Sequence, residues 1–251
     1  MAIDLNADLG EGFGIWRLGD DDALLSVVTS ANVACGFHAG DPQTMQRVCE
    51  QAAARGVAIG AQVGYRDLVG FGRRRIDIDP DELCADLLYQ VGALQSFARA
   101  AGTSVVYLKP HGALYNTAAD ELEVAHAVVG AAARAGDLPV LGLPGSALAT
   151  AVEAAGLRFV AEGFVDRAYT PNGRLVPRVE AGAVHTDAAT ALEQARELAN
   201  GRVTATDGAL LAMPVQSLCL HGDTPGAVEL ASSVRAALEG DGIELSSFVR
   251  P

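Results

Sequence analysis

The chain has 251 residues, 50% of them hydrophobic and 20% charged, enough to bury a large core as one α/β barrel or a pair of smaller domains. Its formal net charge of −13 argues against nucleic acid or an anionic membrane surface as partner, so an anionic substrate must be met by local Arg, Lys or backbone N–H groups. No apolar stretch has the length of a membrane span, Met1-Ala2-Ile3-Asp4 lacks the start of a signal peptide, and Cys35, Cys49, Cys84 and Cys219 show no C-x-x-C spacing. A cytoplasmic protein with reduced thiols is expected, folded as a single domain over residues 1–251.

Short apolar runs alternate with helical patterns along the chain. Residues 3–7 and 32–35 read as the first two strands. Asp41-Pro42 then supplies an N-cap and a proline at the first helical position, before an apolar stripe of Met45, Val48, Cys49 and Ala52 that ends at Gly56. A third strand at 57–61 precedes the same device at Asp79-Pro80, where Leu83, Leu87, Val91, Leu94 and Ala98 share a face and Gly102 is the stop. Strands follow at 105–108, 139–143, 159–161 and 217–220, with a weaker one at 243–248. Helices are predicted to end at Gly136 and Gly156, to run over 188–199, and to start again at Thr224-Pro225 with Val228, Ala231 and Leu238 on one face. Apolar strands separated by helices indicate a parallel sheet, and seven or eight such units favour a closed α/β barrel over an open sheet.

Polar residues collect where the strands end. The first strand runs into Asn6-Ala7-Asp8-Leu9-Gly10-Glu11-Gly12, the second into Cys35-Gly36-Phe37-His38-Ala39-Gly40-Asp41, and the fourth into Lys109-Pro110-His111-Gly112-Ala113-Leu114-Tyr115-Asn116. The sixth leads to Glu162 and then Asp166-Arg167, the last to His221-Gly222-Asp223. In a parallel barrel all these ends meet at one face, where active sites are built. Lys109 is the only lysine among 18 basic side chains, which suggests a place where a compact ammonium is needed and guanidinium is not. Asp41 has an ordinary duty as a helix cap, and any one of His38, His111 and His221 could be a core histidine. Arg73-Arg74-Arg75 after a glycine pair is either an anion clamp or a solvated basic turn, while Phe13 and Trp16 are expected to pack under their loop. Gly10-Glu11-Gly12-Phe13-Gly14 is too short for a dinucleotide fingerprint, and no Walker A loop, G-x-S-x-G elbow or thiol–histidine pair occurs. What remains is a carboxylate, histidine and lysine site suited to moving protons and stabilising an oxyanion or phosphate.

These segments, together with Asp166-Arg167-Ala168-Tyr169 and His221-Gly222-Asp223-Thr224-Pro225-Gly226, closely resemble the LamB/YcsF family over nearly the whole chain. The resemblance implies a seven-stranded β/α barrel of the glycoside hydrolase/deacetylase type. It also implies the A subunit of an ATP-dependent 5-oxoprolinase, which opens 5-oxoproline (pyroglutamate) to glutamate with two further subunits, B and C, using ATP with Mg as co-substrate. On that basis Asp8, Glu11, His38, Lys109 and His111 are expected to be catalytic. Lys109 would neutralise the substrate carboxylate or a phosphorylated oxygen, and Lys109→Met would remove activity without unfolding the chain. Asn6, Asp41, Gln62, Tyr115, Glu162, Asp166, Arg167, His221 and Asp223 are expected to bind substrate. Family members often carry His where Gln62 stands, and related deacetylase barrels bind a divalent metal through His and Asp. The change counts against a metal at that position and leaves Asp8, His38, His111 and His221 as the candidate ligands. Two alternatives stand beside this reading: a metal-dependent deacetylase or amidohydrolase of small amides or sugars, and a non-catalytic binding subunit. Assembly as a homo-oligomer is compatible with the sequence.

Overall fold

A computed structural model describes residues 2–222 and 226–250, so Asp223, Thr224 and Pro225 lie outside the described residues. In chain order the elements begin with β1 (Ala2–Leu9), α1 (Asp21–Leu25), β2 (Ser30–Ala34), α2 (Pro42–Arg55), β3 (Ala58–Val63), α3 (Pro80–Ala100) and β4 (Val105–Pro110). They continue with α4 (Gly112–Asp120), α5 (Leu122–Arg134), β5 (Val140–Gly142), α6 (Ala147–Ala154), β6 (Phe159–Phe164) and α7 (Ala188–Ala199). The hairpin β7 (Arg202–Thr204) and β8 (Leu210–Ala212), β9 (Ser217–Leu220), α8 (Ala227–Gly240) and β10 (Glu244–Leu245) complete the order. Strands β1 to β6 pair in sequence, all parallel, and β9 pairs with both β6 and β1 to close a seven-stranded barrel.

The helix starts follow from their caps. Asp41 accepts the N–H groups of Gln43 and Thr44, and Asp79 those of Asp81 and Glu82, each ahead of a proline at the first helical turn. Gly56, at φ 67, ends α2 in the left-handed conformation that a side chain resists. Two helices and one hairpin depart from the sequence expectation. Helix α4 starts on His111, which makes no side-chain cap hydrogen bond, so no capping residue marks it. Helix α1 has only five residues, and β7 and β8 have three each, too few to show a period.

Most strands turn one apolar face to the helices, and Tyr107, Leu141 and Val160 form a separate buried cluster. On β1, Ile3, Leu5, Ala7 and Leu9 belong to the core shared with the helices, while Asp4, Asn6 and Asp8 alternate with them and face the barrel interior. That interior is a hydrogen-bonded column. At its lower end Asp4 accepts from Thr29, Ser30 and Ser217; Asn6 Nδ2 donates to Ser217 Oγ at 2.6 Å; Asn32 Nδ2 donates to Asn6 at 2.6 Å and to Asp8 at 2.8 Å. Tyr107 crosses the barrel to donate its hydroxyl to Asn32 Oδ1 at 2.7 Å. Gly60 makes this crossing feasible, since a Cβ there would overlap the Tyr107 ring. Below Tyr107 the C-terminal tail seals the barrel: β10 pairs with the start of β1, and Phe248 sets its ring edge-on to Tyr107 at 5.0 Å. Burial lifts the Asp4 carboxyl to about 6, against the pull of its three hydroxyl donors.

Candidate active site

The upper ends of the strands bring the predicted segments together. Deepest is Lys109, on β4, whose ammonium lies 3.1 Å from Asp8 Oδ1 on β1 and 2.7 Å from Glu162 Oε1 on β6. All three side chains are buried. Burial alone would strip the proton from Lys109, but Asp8 and Glu162 outweigh it and push its pKa well up, so the ammonium is fixed. Burial would likewise raise Asp8, and Lys109, His221 and His111 overcome it, holding the carboxyl below the usual range. Asn6 and Cys219 complete the coordination of the ammonium at 3.4 and 3.2 Å. Burial holds the Cys219 thiol well above its ordinary value, so it meets Lys109 protonated. One ammonium between two carboxylates leaves this trio net negative. Lys109 is thus engaged by its own carboxylates, in contrast to the expectation that it neutralises a substrate carboxylate or a phosphorylated oxygen.

Beside the trio, His38 and His111 stack at 4.1 Å between ring centroids with planes 10° apart. Only His111 lines the cleft; His38 lies behind it, fully buried, with Nδ1 unpartnered. The stack is tight because Gly72 (φ 65) backs it, where a Cβ would lie 2.8 Å from His38 and 3.0 Å from His111. Gln62 occupies the centre of this group: its amide nitrogen reaches Glu11 Oε1 and His111 Nδ1, both at 3.0 Å, and its amide oxygen reaches His38 Nε2 at 3.2 Å. His111 Nε2 meets the Phe71 carbonyl at 3.0 Å. Burial depresses both imidazoles, His38 to about 4 and His111 well below its ordinary value, so both are neutral at pH 7.

On the opposite wall, His221 Nδ1 lies 2.8 Å from Asp166 Oδ2. Burial would raise Asp166, but His221, with Arg178 and Arg167 adding to it, holds the carboxyl low and ionised. A carboxylate bound to Nδ1 fixes the proton there and leaves the Nε2 lone pair available. His221 lines the same cleft as Asp8, Lys109 and His111, so its Nε2 is the basic imidazole nitrogen with access to a ligand.

The cleft above these groups measures about 540 Å³ and is walled by Tyr115, Phe164 and arginines 73, 167 and 178. Arg167 is turned to structure: it donates to the carbonyls of Val176 at 2.6 Å and Ala183 at 3.2 Å, and burial, with Arg178 nearby, draws it down to about 10. Of the arginine run, Arg74 pairs with Asp67 and Arg75 with Glu121, while Arg73 sits over the Phe71 ring at the cleft. Arg178, half-buried in the wall, was not expected; nothing in Pro177-Arg178-Val179 distinguishes it from a solvated loop.

Four expected binding residues stand elsewhere, Gln62 among them, buried between Glu11 and the two stacked imidazoles. Asp41 caps α2 and takes the Gly14 N–H at 2.9 Å. Asn6 lies below Lys109 in the column, and Glu162 is the floor of the site without exposed surface. Asp223 lies outside the described residues. Trp16 does not pack under its loop; it is 68% exposed.

The expected metal set is not brought together. Asp8 pairs with Lys109 and His221 with Asp166, and among the described residues the cluster with ligand atoms mutually within 4.8 Å is Glu11, His38 and His111. Even there Gln62 bridges all three, and a cation among them would have to displace its amide. As folded, these residues do not fit a metal ion.

The LamB/YcsF family profile matches residues 3–251. The A subunit of 5-oxoprolinase from Streptomyces coelicolor is 60% identical over 248 residues, covering 98% of this chain and 99% of that protein. That of Mycobacterium avium is 59% identical over 249 residues, covering 98% of each. The crystal structure of the lactam utilization protein from Thermus thermophilus superposes with a TM-score of 0.93 at 44% identity, covering 99% of this chain and 100% of that one. A closed parallel barrel with its polar residues on one rim, matched end to end in sequence and in fold, places this chain in the LamB/YcsF family.

Proposed function

We propose that this chain is the A subunit of a 5-oxoprolinase and hydrolyses the five-membered lactam of 5-oxoproline, activated by ATP, to glutamate. The observation that carries the reading is the Asp166–His221 pair facing Asp8 and Lys109 across one cleft, in a chain 60% identical to the A subunit of a 5-oxoprolinase. A lactam is resonance-stabilised, and phosphorylation of its amide oxygen makes the ring carbon electrophilic. The sequence has no glycine-rich phosphate loop, which favours the phosphorylation taking place on the partner B and C subunits, with ATP and Mg bound there.

Within this cleft His221 Nε2 takes a proton from water as the oxygen adds to the ring carbon. That proton passes to the ring nitrogen, and the added hydroxyl then gives up its own proton to the same nitrogen, again through His221 Nε2, as the C–N bond breaks and leaves a γ-acyl phosphate and a free amine. A second water, activated the same way, releases phosphate and glutamate. Asp166 holds His221 in the required tautomer and stabilises the imidazolium. The substrate carboxylate and the phosphoryl group are met by Arg178 and Arg73, and the anionic Asp8 of the buried trio orients the attacking water.

The test is glutamate release from 5-oxoproline and ATP by the complex reconstituted with its partner subunits. Substitution His221→Asn should lower turnover about 10²- to 10⁴-fold with folding intact. Turnover unchanged in that variant, or no glutamate formed by the complete wild-type complex, would refute the assignment.

A further inference from the structure

Gln62 sits where three groups of fixed polarity converge, and their polarities determine one another. A carboxylate can only accept hydrogen bonds, so Glu11 requires that the Gln62 atom at 3.0 Å be the NH₂ group. The other end of the amide, 3.2 Å from His38 Nε2, is then the carbonyl oxygen, and His38 must carry its proton on Nε2. The second N–H of the same amide points at His111 Nδ1, 3.0 Å away, so that nitrogen must present its lone pair. The His111 proton is thereby placed on Nε2, where the Phe71 carbonyl accepts it at 3.0 Å. One acid thus sets the tautomers of two stacked histidines through one amide. His38 Nδ1 is left as a buried lone pair without a partner.

The same amide stands among ligand atoms from Glu11, His38 and His111 that lie within 4.8 Å of one another. An NH₂ group there does what a cation would do for Glu11 and His111, supplying positive edge to two acceptors. It differs in that its carbonyl simultaneously demands a proton on His38. We propose that Gln62 is a positioning residue that fixes His38 and His111 as neutral Nε2–H tautomers and holds the centre of a cluster that a divalent cation would otherwise take. The wall of the cleft beside Asp8 is thereby rigid and carries no imidazolium. This inference stands apart from the lactam reading, since it rests on hydrogen bonds among protein groups and holds whatever the cleft binds.

Two measurements test it. Long-range ¹H–¹⁵N NMR of the wild-type imidazoles near neutral pH should show His38 and His111 both protonated on Nε2 and unprotonated on Nδ1. Titration with Zn²⁺ alone should give no stoichiometric binding to the wild type. The variant Gln62→Glu, which places a fourth ligand in the cluster, should bind one zinc per chain about tenfold or more tighter than the wild type. An Nδ1–H tautomer or an imidazolium at either histidine overturns the proposal. So does a wild-type zinc site abolished by His111→Ala, or a folded Gln62→Glu chain that binds zinc no better than the wild type. Should Gln62→Glu fail to fold, the wild-type tautomers decide the matter.

Discussion

Replacing Lys109 by Met removes the one cation between two buried carboxylates, Asp8 at 3.1 Å and Glu162 at 2.7 Å. Breaking a buried pair by deleting one partner costs about 3–5 kcal/mol, because the remaining charge stays desolvated. With two carboxylates left, the upper end of that range is expected, a drop in Tm of roughly 10–20 °C at 2–4 °C per kcal/mol for a chain of this size. This reverses the expectation from sequence that the substitution leaves the fold intact. The pH dependence supplies the sign. In the wild type Asp8 is held below its unfolded value, so its contribution is present above about pH 4 and fades only as pH falls further. Without Lys109, burial dominates and raises the Asp8 carboxyl, so the variant should be more stable near pH 5 than near pH 8. Urea unfolding of the wild type, Lys109→Met and Lys109→Met/Glu162→Gln at both pH values measures this. The double variant should recover about 1–3 kcal/mol of the loss, since it removes one unpaired charge. A single variant within about 1 kcal/mol of the wild type, or a double variant no more stable than the single, would show that the trio does not share charge as described.

Acid should unfold the chain through its histidines. His38 is depressed to about 4 from an unfolded value near 6.5, so its contribution is intact above pH 6.5 and is lost as pH falls toward 4. At 1.36 kcal/mol per unit this amounts to about 3 kcal/mol; a stability curve flat across that window would contradict it. At the rim, Arg178→Ala should raise KM for the anionic substrate about tenfold or more while kcat changes little, with Arg178→Lys intermediate. Equal losses in kcat for both variants would mean that the residue acts on the chemistry and not on binding.

Much of the barrel was legible because its signals are local. Asp41-Pro42 and Asp79-Pro80 start helices in the structure as in the sequence, and the polar strand ends do share one rim. The first strand was read as an apolar run, whereas Asp4, Asn6 and Asp8 turn inward, and an interior filled with hydrogen-bonded side chains is not what an apolar parallel sheet suggests. Pairings within the site were hidden. Whether Lys109 meets Glu162 or His111 depends on which strands adjoin and how far each is staggered, quantities fixed by closure of the barrel and not by spacing along the chain. For the same reason Gln62 stood out only as a replacement for a family histidine, not as the bridge between Glu11 and two imidazoles, and the partners of the arginines at Asp67, Glu121 and backbone carbonyls could not be assigned.

The C-terminal tail has a consequence for traffic. With Phe248 seated against Tyr107 and β10 laid along the start of β1, the lower mouth is stoppered by the chain itself. The chamber is then a cup with one lip, and whatever enters over the lip must leave over it. A second protein docking there to deliver a short-lived reactant would shut out bulk water and, by the same contact, detain the product until it departs.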